Sequence, residues 1–146
     1  MDLSKACEQE ILGLHRFFEA WFNAGFADED RGFRRFTDVM APGFVIVSPR
    51  GVATALSELG RELRQAYGAW KHDGDDPWTI QVEDVKLRHQ HGDVALLTYV
   101  EKQHARGHDT ARLSTVLMER HDPTPNGVRW LHVHETWTPG GAPSGA

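Results

Sequence analysis

The chain has 146 residues, of which 40% are hydrophobic and 25% charged, and its formal net charge is -5. That length and balance suit one globular unit with a buried core and exclude a disordered chain. Acidic and basic residues are interspersed, with no Lys/Arg run and no basic stripe, so a nucleic-acid footprint is excluded as well.

Residues 1–5 lack the charged-then-apolar pattern of a signal peptide, and no apolar run approaches the roughly 20 residues of a membrane span. A cytoplasmic location is therefore expected, with no membrane partner. A helix is predicted over 4–24, with Ile11, Leu14, His15, Phe18, Trp21 and Phe22 along one face, Ser4 as its cap and Gly25 as its stop. Cys7, the only cysteine, falls in this helix with no histidine near it in sequence. It precludes an internal disulfide and reads as a packed thiol rather than a nucleophile.

A second helix is predicted over 28–40, capped by Asp28, with Phe33, Phe36, Val39 and Met40 inward and Pro42-Gly43 ending it. Phe44-Val45-Ile46-Val47-Ser48 reads as a short apolar strand closed by Pro49-Arg50-Gly51. A third helix over 54–69 follows, with Leu56, Leu59, Leu63, Tyr67 and Trp70 at helical spacing, and then a polar loop over 71–77.

The rest reads as strand. Trp78, Ile80 and Val82 alternate, then Val85 and Leu87 alternate in the opposite phase, which predicts a β-bulge at Glu83-Asp84. Long strands over 93–105, 110–121 and 128–138 are joined by turn-forming segments, the pattern of an antiparallel meander. The expected architecture is α+β: a curved antiparallel sheet wrapped around N-terminal helices, a cone-shaped half-barrel with a pocket between the layers. One domain is expected over 1–139, with a flexible tail over 140–146.

Two stretches carry a family likeness: Phe44-Val45-Ile46-Val47-Ser48-Pro49-Arg50-Gly51, and Gly127-Val128-Arg129-Trp130-Leu131-His132-Val133-His134-Glu135. With the order of elements over 5–138, they make the chain resemble the nuclear transport factor 2-like superfamily, also called SnoaL-like or cystatin-like cones. The closing strand is most similar to that of the calcium/calmodulin-dependent kinase II association domain. That group lines its pocket with arginines, and the resemblance places Glu101, Val116 and Trp137 at those positions, so its anion chemistry does not transfer. In the ketosteroid isomerase branch an Asp-Pro pair ends the short strand. Here the pair is Ser48-Pro49, and a hydroxyl is no base near neutral pH unless activated.

The resemblance also implies which side chains face the cone interior: Leu97, Tyr99, Glu101 and Gln103; Arg112, Ser114, Val116 and Met118; and Leu131, Val133, Glu135 and Trp137. A carboxyl in an apolar pocket has a raised pKa and can exchange protons near neutral pH. Glu101, Glu135 and Tyr99 are thus the candidate catalytic residues. Arg112, Trp70, Trp137, His15, Gln103 and Ser114 are the candidate ligand contacts. The plainer alternative pairs Arg112 with one glutamate and leaves the other at a solvated rim.

His132 and His134 share a strand face and could hold a metal in a bidentate way, but no third ligand completes a site, so neither metal nor cofactor is expected. The outer sheet face, with Thr98, Val100, Lys102, Leu113, Thr115, Leu117, Arg129, Trp130 and His132, carries enough apolar area to favour a homodimer. Two functions remain open. One is a small-molecule binder, with isomerase, dehydratase or cyclase chemistry by proton transfer on an apolar oxygen-bearing compound. The other is a non-catalytic oligomerisation or ligand-sensing module.

Overall fold

A computed structural model describes residues 2–71 and 76–144. Residues 72–75 of the predicted polar loop, with His72, and residues 145–146 of the predicted tail lie outside the described residues. Three helices, α1 (Leu3–Phe22), α2 (Asp30–Thr37) and α3 (Leu56–Gln65), accompany six strands. The strands are β1 (Met40–Val47), β2 (Ala53–Ala55), β3 (Thr79–His91), β4 (Val94–Ala105), β5 (His108–Arg120) and β6 (Val128–Trp137). They form one sheet in the order β2-β1-β6-β5-β4-β3. The class is α+β, as expected, but the sheet is mixed: β1 runs parallel to β6, and every other pairing is antiparallel.

Helix α1 is capped by Asp2 rather than Ser4. The Asp2 carboxylate accepts the Lys5 backbone N–H at 2.9 Å, and Ser4 already lies inside the helix. At the other end the left-handed residue is Ala24 (φ 53), one before the predicted Gly25, whose N–H returns to the Ala20 carbonyl at 2.7 Å. The buried stripe runs Leu3, Cys7, Glu10, Leu14, Phe17 and Trp21, alternating steps of four and three, with Ile11 and His15 beside it.

Helix α2 ends at Thr37, so Met40 and Pro42-Gly43 belong to β1 rather than to a longer helix. Glu29, not Asp28, holds its N-cap position. Phe33, Phe36 and Val39 are nonetheless buried, and Phe33 packs 4.9 Å from Trp21 between ring centroids. After β1 the chain turns at Gly51 (φ 80) into the short β2, whose last two residues the sequence pattern assigns to the third helix. None of α3 is fully buried. Its leucines half-cover the helical side of the interior, and the Trp21 indole donates to the Leu63 carbonyl at 2.7 Å. The segment after α3 is bonded to the end of α1, Gly68 N–H to the Trp21 carbonyl and Trp70 N–H to the Phe22 carbonyl, which places Trp70.

The predicted bulge in β3 is present. Its pairing with β4 shifts between Glu83 and Lys86, with Asp84 at φ 54. A second irregularity lies between Leu87 and His89. On β4 and β5 the inward side chains are the expected ones: Leu97, Tyr99, Glu101, Ser114, Val116 and Met118 are all buried.

On β6 the expected alternation fails in its first half. Met118 pairs with Trp130 and Leu117 with His132, so Leu131 is an extra residue. Trp130 consequently turns inward, 2% exposed, whereas the expected alternation puts it on the outer face and Leu131 inside. From Val133 onward the expected phase resumes. Beyond β6, Gly141 is buried and its carbonyl accepts the Ala111 N–H at 2.9 Å, so the first residues of the expected tail continue the ladder.

Candidate functional site

The cross-strand register builds two short rows on the inner sheet face. One is Tyr99, Ser114 and Glu135; the next is Glu101, Arg112 and Trp137. Each row takes one residue from each of β4, β5 and β6, and side chains directly opposite on neighbouring strands are in mutual reach. Tyr99, Glu135, Glu101 and Arg112 of these rows line a cavity of ≈ 320 Å³ between sheet and helices. Its apolar walls include Phe18, Phe22, Phe36, Phe44, Trp78 and Trp130, and its polar members are His15, Tyr99, Glu101, Gln103, Arg112 and Glu135.

Seven of the nine residues singled out from the sequence line this cavity: Glu101, Glu135, Tyr99, Arg112, His15, Gln103 and Trp70. Trp137 and Ser114 do not. Trp137 lies under the Arg112 guanidinium, 4.9 Å from its ring centroid to Cζ. Ser114 is fully buried between Tyr99 and Glu135 in its row, with no geometrically sound hydrogen-bond partner for Oγ among the described residues. Trp70 lines both the cavity and a neighbouring surface cleft, and the Arg106 guanidinium stacks on it at 4.8 Å.

Glu101 has three polar neighbours. Its Oε1 lies 2.8 Å from His15 Nε2, its Oε2 accepts from Gln103 Nε2 at 2.6 Å, and Arg112 Nε stands 3.5 Å from Oε2. His15 Nδ1 is 2.7 Å from the Ile11 carbonyl, which can only accept, so Nδ1 carries a hydrogen. One proton then remains between Nε2 and the carboxylate. Burial disfavours the imidazolium, but the hydrogen bond and charge of Glu101 outweigh it and raise the His15 pKa above its ordinary value. Burial likewise opposes the Glu101 carboxylate, yet His15 and then Arg112 hold it below the usual glutamate range. The proton therefore resides on His15, and the two form a buried ion pair.

Glu135 differs. Its only polar partner among the described residues is Arg112 Nη1, at 3.3 Å from each carboxylate oxygen. Burial raises its pKa; the Arg112 charge offsets this in part, and the Glu101 charge adds to it. The Tyr99 hydroxyl, fully buried beside both carboxylates, is pushed well above its ordinary pKa by burial first and by Glu101 and Glu135 next, so it stays protonated and able to donate.

A third buried carboxylate, Glu10, lies outside the cavity. Its Oε1 accepts from Arg35 Nη2 and Asn126 Nδ2, both at 2.9 Å, and its Oε2 accepts from Arg35 Nη1 at 3.0 Å and from the Trp130 indole at 2.9 Å. It ties α1 to α2, to the loop before β6 and to the cavity wall at Trp130. Sequence reasoning missed it, although its signal is visible: an acid at the one polar position of the 3, 7, 10, 14, 17, 21 stripe.

Elsewhere, His132 and His134 are on the outer face with ring centroids 6.4 Å apart. No group of three or more His, Cys, Asp or Glu among the described residues is placed to hold a metal. Ser48 Oγ accepts the Val52 N–H at 3.2 Å and so serves the turn between β1 and β2. Val116 is in the core. No helix among the described residues is long and apolar enough to cross a membrane.

An open, cone-like sheet over helices, with a cavity lined in part by residues of these rows, defines the class: a nuclear transport factor 2-like, cystatin-like fold. The solved structures agree. An NTF-2 like protein of unknown function from Pseudomonas aeruginosa superposes with a TM-score of 0.79 at 25% identity, covering 92% of this chain and 99% of that one. The calcium/calmodulin-dependent kinase II hub of S. rosetta gives 0.65 at 15% identity, covering 92% and 95%. A ketosteroid isomerase-like protein of Shewanella frigidimarina gives 0.59 at 17%, covering 90% and 94%. Within this class the chain belongs to the sucrose-6-phosphate phosphohydrolase C-terminal family, whose model matches residues 7–139. It is 28% identical over 137 residues to sucrose-phosphatase 1 of Nicotiana tabacum, covering 92% of this chain and 31% of that protein. Sucrose-phosphatase 2 of the same plant is 27% identical over the same coverage. The chain thus spans about a third of the length of these curated relatives.

Proposed function

We propose that the domain takes a small molecule with an apolar body and an oxygen-bearing end into the cavity, and that Glu135 exchanges a proton with it. The observation that carries this reading is the contrast between the two carboxylates. Glu101 is locked in an ion pair and held low, whereas Glu135 is held high by burial and faces the cavity with one partner. Two acids driven apart by their surroundings divide the labour of acid-base chemistry. In an isomerisation, Glu135 would take a proton from a carbon next to the ligand's carbonyl and return it to another carbon. Arg112 and the protonated Tyr99 would stabilise the negative charge that gathers on the oxygen meanwhile.

Phosphohydrolase chemistry is not part of the proposal: a phosphate dianion beside Arg112 would meet the Glu101 and Glu135 carboxylates as well. The test is deuterium uptake in D2O at the α-carbons of a panel of cyclic ketones, followed by proton NMR. Enzymic exchange that falls at least about a hundredfold in Glu135→Gln supports the reading. Ketones that bind the cavity but exchange no faster than in buffer refute the catalytic step.

A second reading is a non-catalytic assembly or ligand-sensing module, acting as a homodimer through the outer sheet face. Its support is the likeness to the kinase hub together with Leu113, 39% exposed on that face. Light scattering on the purified chain separates a monomer from a dimer or ring. In that reading the cavity binds a ligand without turning it over.

A further inference from the structure

We infer that the ligand's polar end carries a hydrogen-bond acceptor and a hydroxyl on adjacent carbons, as in an α-hydroxyketone, on an apolar body of one or two rings. This rests on the cavity reading above and narrows its ligand.

The argument is an inventory of donors and acceptors. A guanidinium has five N–H groups. Those of Arg112 Nη1 serve Glu135, and Nε, buried, stands 3.5 Å from Glu101 without making a sound hydrogen bond. Nη2 thus has no hydrogen-bond partner among the described residues and is the donor open to a ligand, while Nε is enclosed beside Glu101. Glu135 is the mirror case: a carboxylate accepts at about four sites, and Arg112 Nη1 alone engages it. Glu101 is more crowded, with three polar neighbours, His15, Gln103 and Arg112 Nε, where Glu135 has one.

Spare donors and spare acceptors therefore sit on two residues in contact with each other, both lining a cavity whose walls are mostly apolar. Buried polar groups in folded proteins are nearly always paired, and leaving one unpaired is costly. A ligand that satisfies both must present an acceptor to Arg112 and a donor to Glu135 side by side. A simple ketone leaves Glu135 unmatched, and a carboxylate brings a further negative charge against it. The Phe18, Phe22 and Trp78 walls and the ≈ 320 Å³ volume call for a compact, ring-sized apolar body behind that head.

The test is ligand-observed NMR titration of the whole chain with four probes of one shape: indane, 1-indanone, 2-indanol and 2-hydroxy-1-indanone. The hydroxyketone is expected to bind at least tenfold more tightly than the ketone or the alcohol, and Glu135→Gln to bring it within threefold of the ketone. Equal binding of all four overturns the head-group inference while leaving a binding cavity. A tenfold preference that survives Glu135→Gln overturns it too. Binding by none of the four up to their solubility overturns this inference and the cavity reading together.

Discussion

Replacing Glu10 with glutamine tests the energetics of the buried pin behind the cavity wall. The change is nearly isosteric, so it leaves no void, and its effect is electrostatic. One carboxylate oxygen becomes an NH2 group, and two of the four donors that converge on Glu10 then face a donor. The nitrogen will take the Oε1 side. There the displaced donors belong to Asn126 and to Arg35, whose side chain is 22% exposed and can turn to water. The Oε2 side would instead strand the Trp130 indole, on a residue 2% exposed. Losing two hydrogen bonds to a charged acceptor, with partial rescue by water, costs about 2–3 kcal/mol. For a chain of this size that corresponds to a Tm lowered by about 10 °C. Urea denaturation followed by tryptophan fluorescence measures it directly. A Glu10→Gln variant within about 0.5 kcal/mol of the parent would refute the idea that these four contacts hold the sheet and helices together.

The His15–Glu101 pair makes stability pH-dependent. The raised His15 pKa contributes stability that is complete below the unfolded value near 6.5 and is lost as pH rises through the folded value. The lowered Glu101 pKa contributes above the unfolded value near 4.3 and is lost as pH falls through the folded value. The stability difference between the parent chain and His15→Gln should therefore be greatest between about pH 4.5 and 6.5 and shrink toward pH 9; a difference that is flat or grows above pH 7 contradicts the pair. Cys7 is fully buried and burial pushes its thiol up to about 11, so a disulfide reagent should label it only at the rate of unfolding; rapid labelling of the native chain would place it elsewhere. At Gly51, φ is 80 and an added Cβ meets nothing within 4 Å, so Gly51→Ala should cost about 1 kcal/mol from backbone strain alone, and an unchanged urea midpoint would show the turn can relax.

Much of the cavity was legible because the family resemblance set the inward face and strand alternation, a local property, carried it along each strand. Once β4 and β5 are placed, Tyr99, Glu101, Arg112 and Ser114 must share a face, whatever lies on the other side of the sheet. The bulge at Glu83-Asp84 was legible for the same reason, as a change of hydrophobic phase within one strand. Glu135 was placed correctly because it lies beyond the irregularity in β6. Trp130 was not: the extra residue at Leu131 appears where β6 meets β5 on one side and parallel β1 on the other, and neither pairing can be read from β6 alone.

The amino-acid order by itself thus determined the helices-then-strands plan and which side chains of each strand share a face, since each follows from the geometry of neighbouring residues along one element; which face turns inward came from the family resemblance. Tertiary structure decided which glutamate is locked and which is open. His15 and Glu101 are 86 residues apart, Glu10 and Trp130 120 apart, and only packing α1 against the sheet brings either pair within hydrogen-bond reach. A carboxylate's charge in a dry interior depends on those distant neighbours, so the chemistry of this cavity is a property of the packed molecule rather than of any segment.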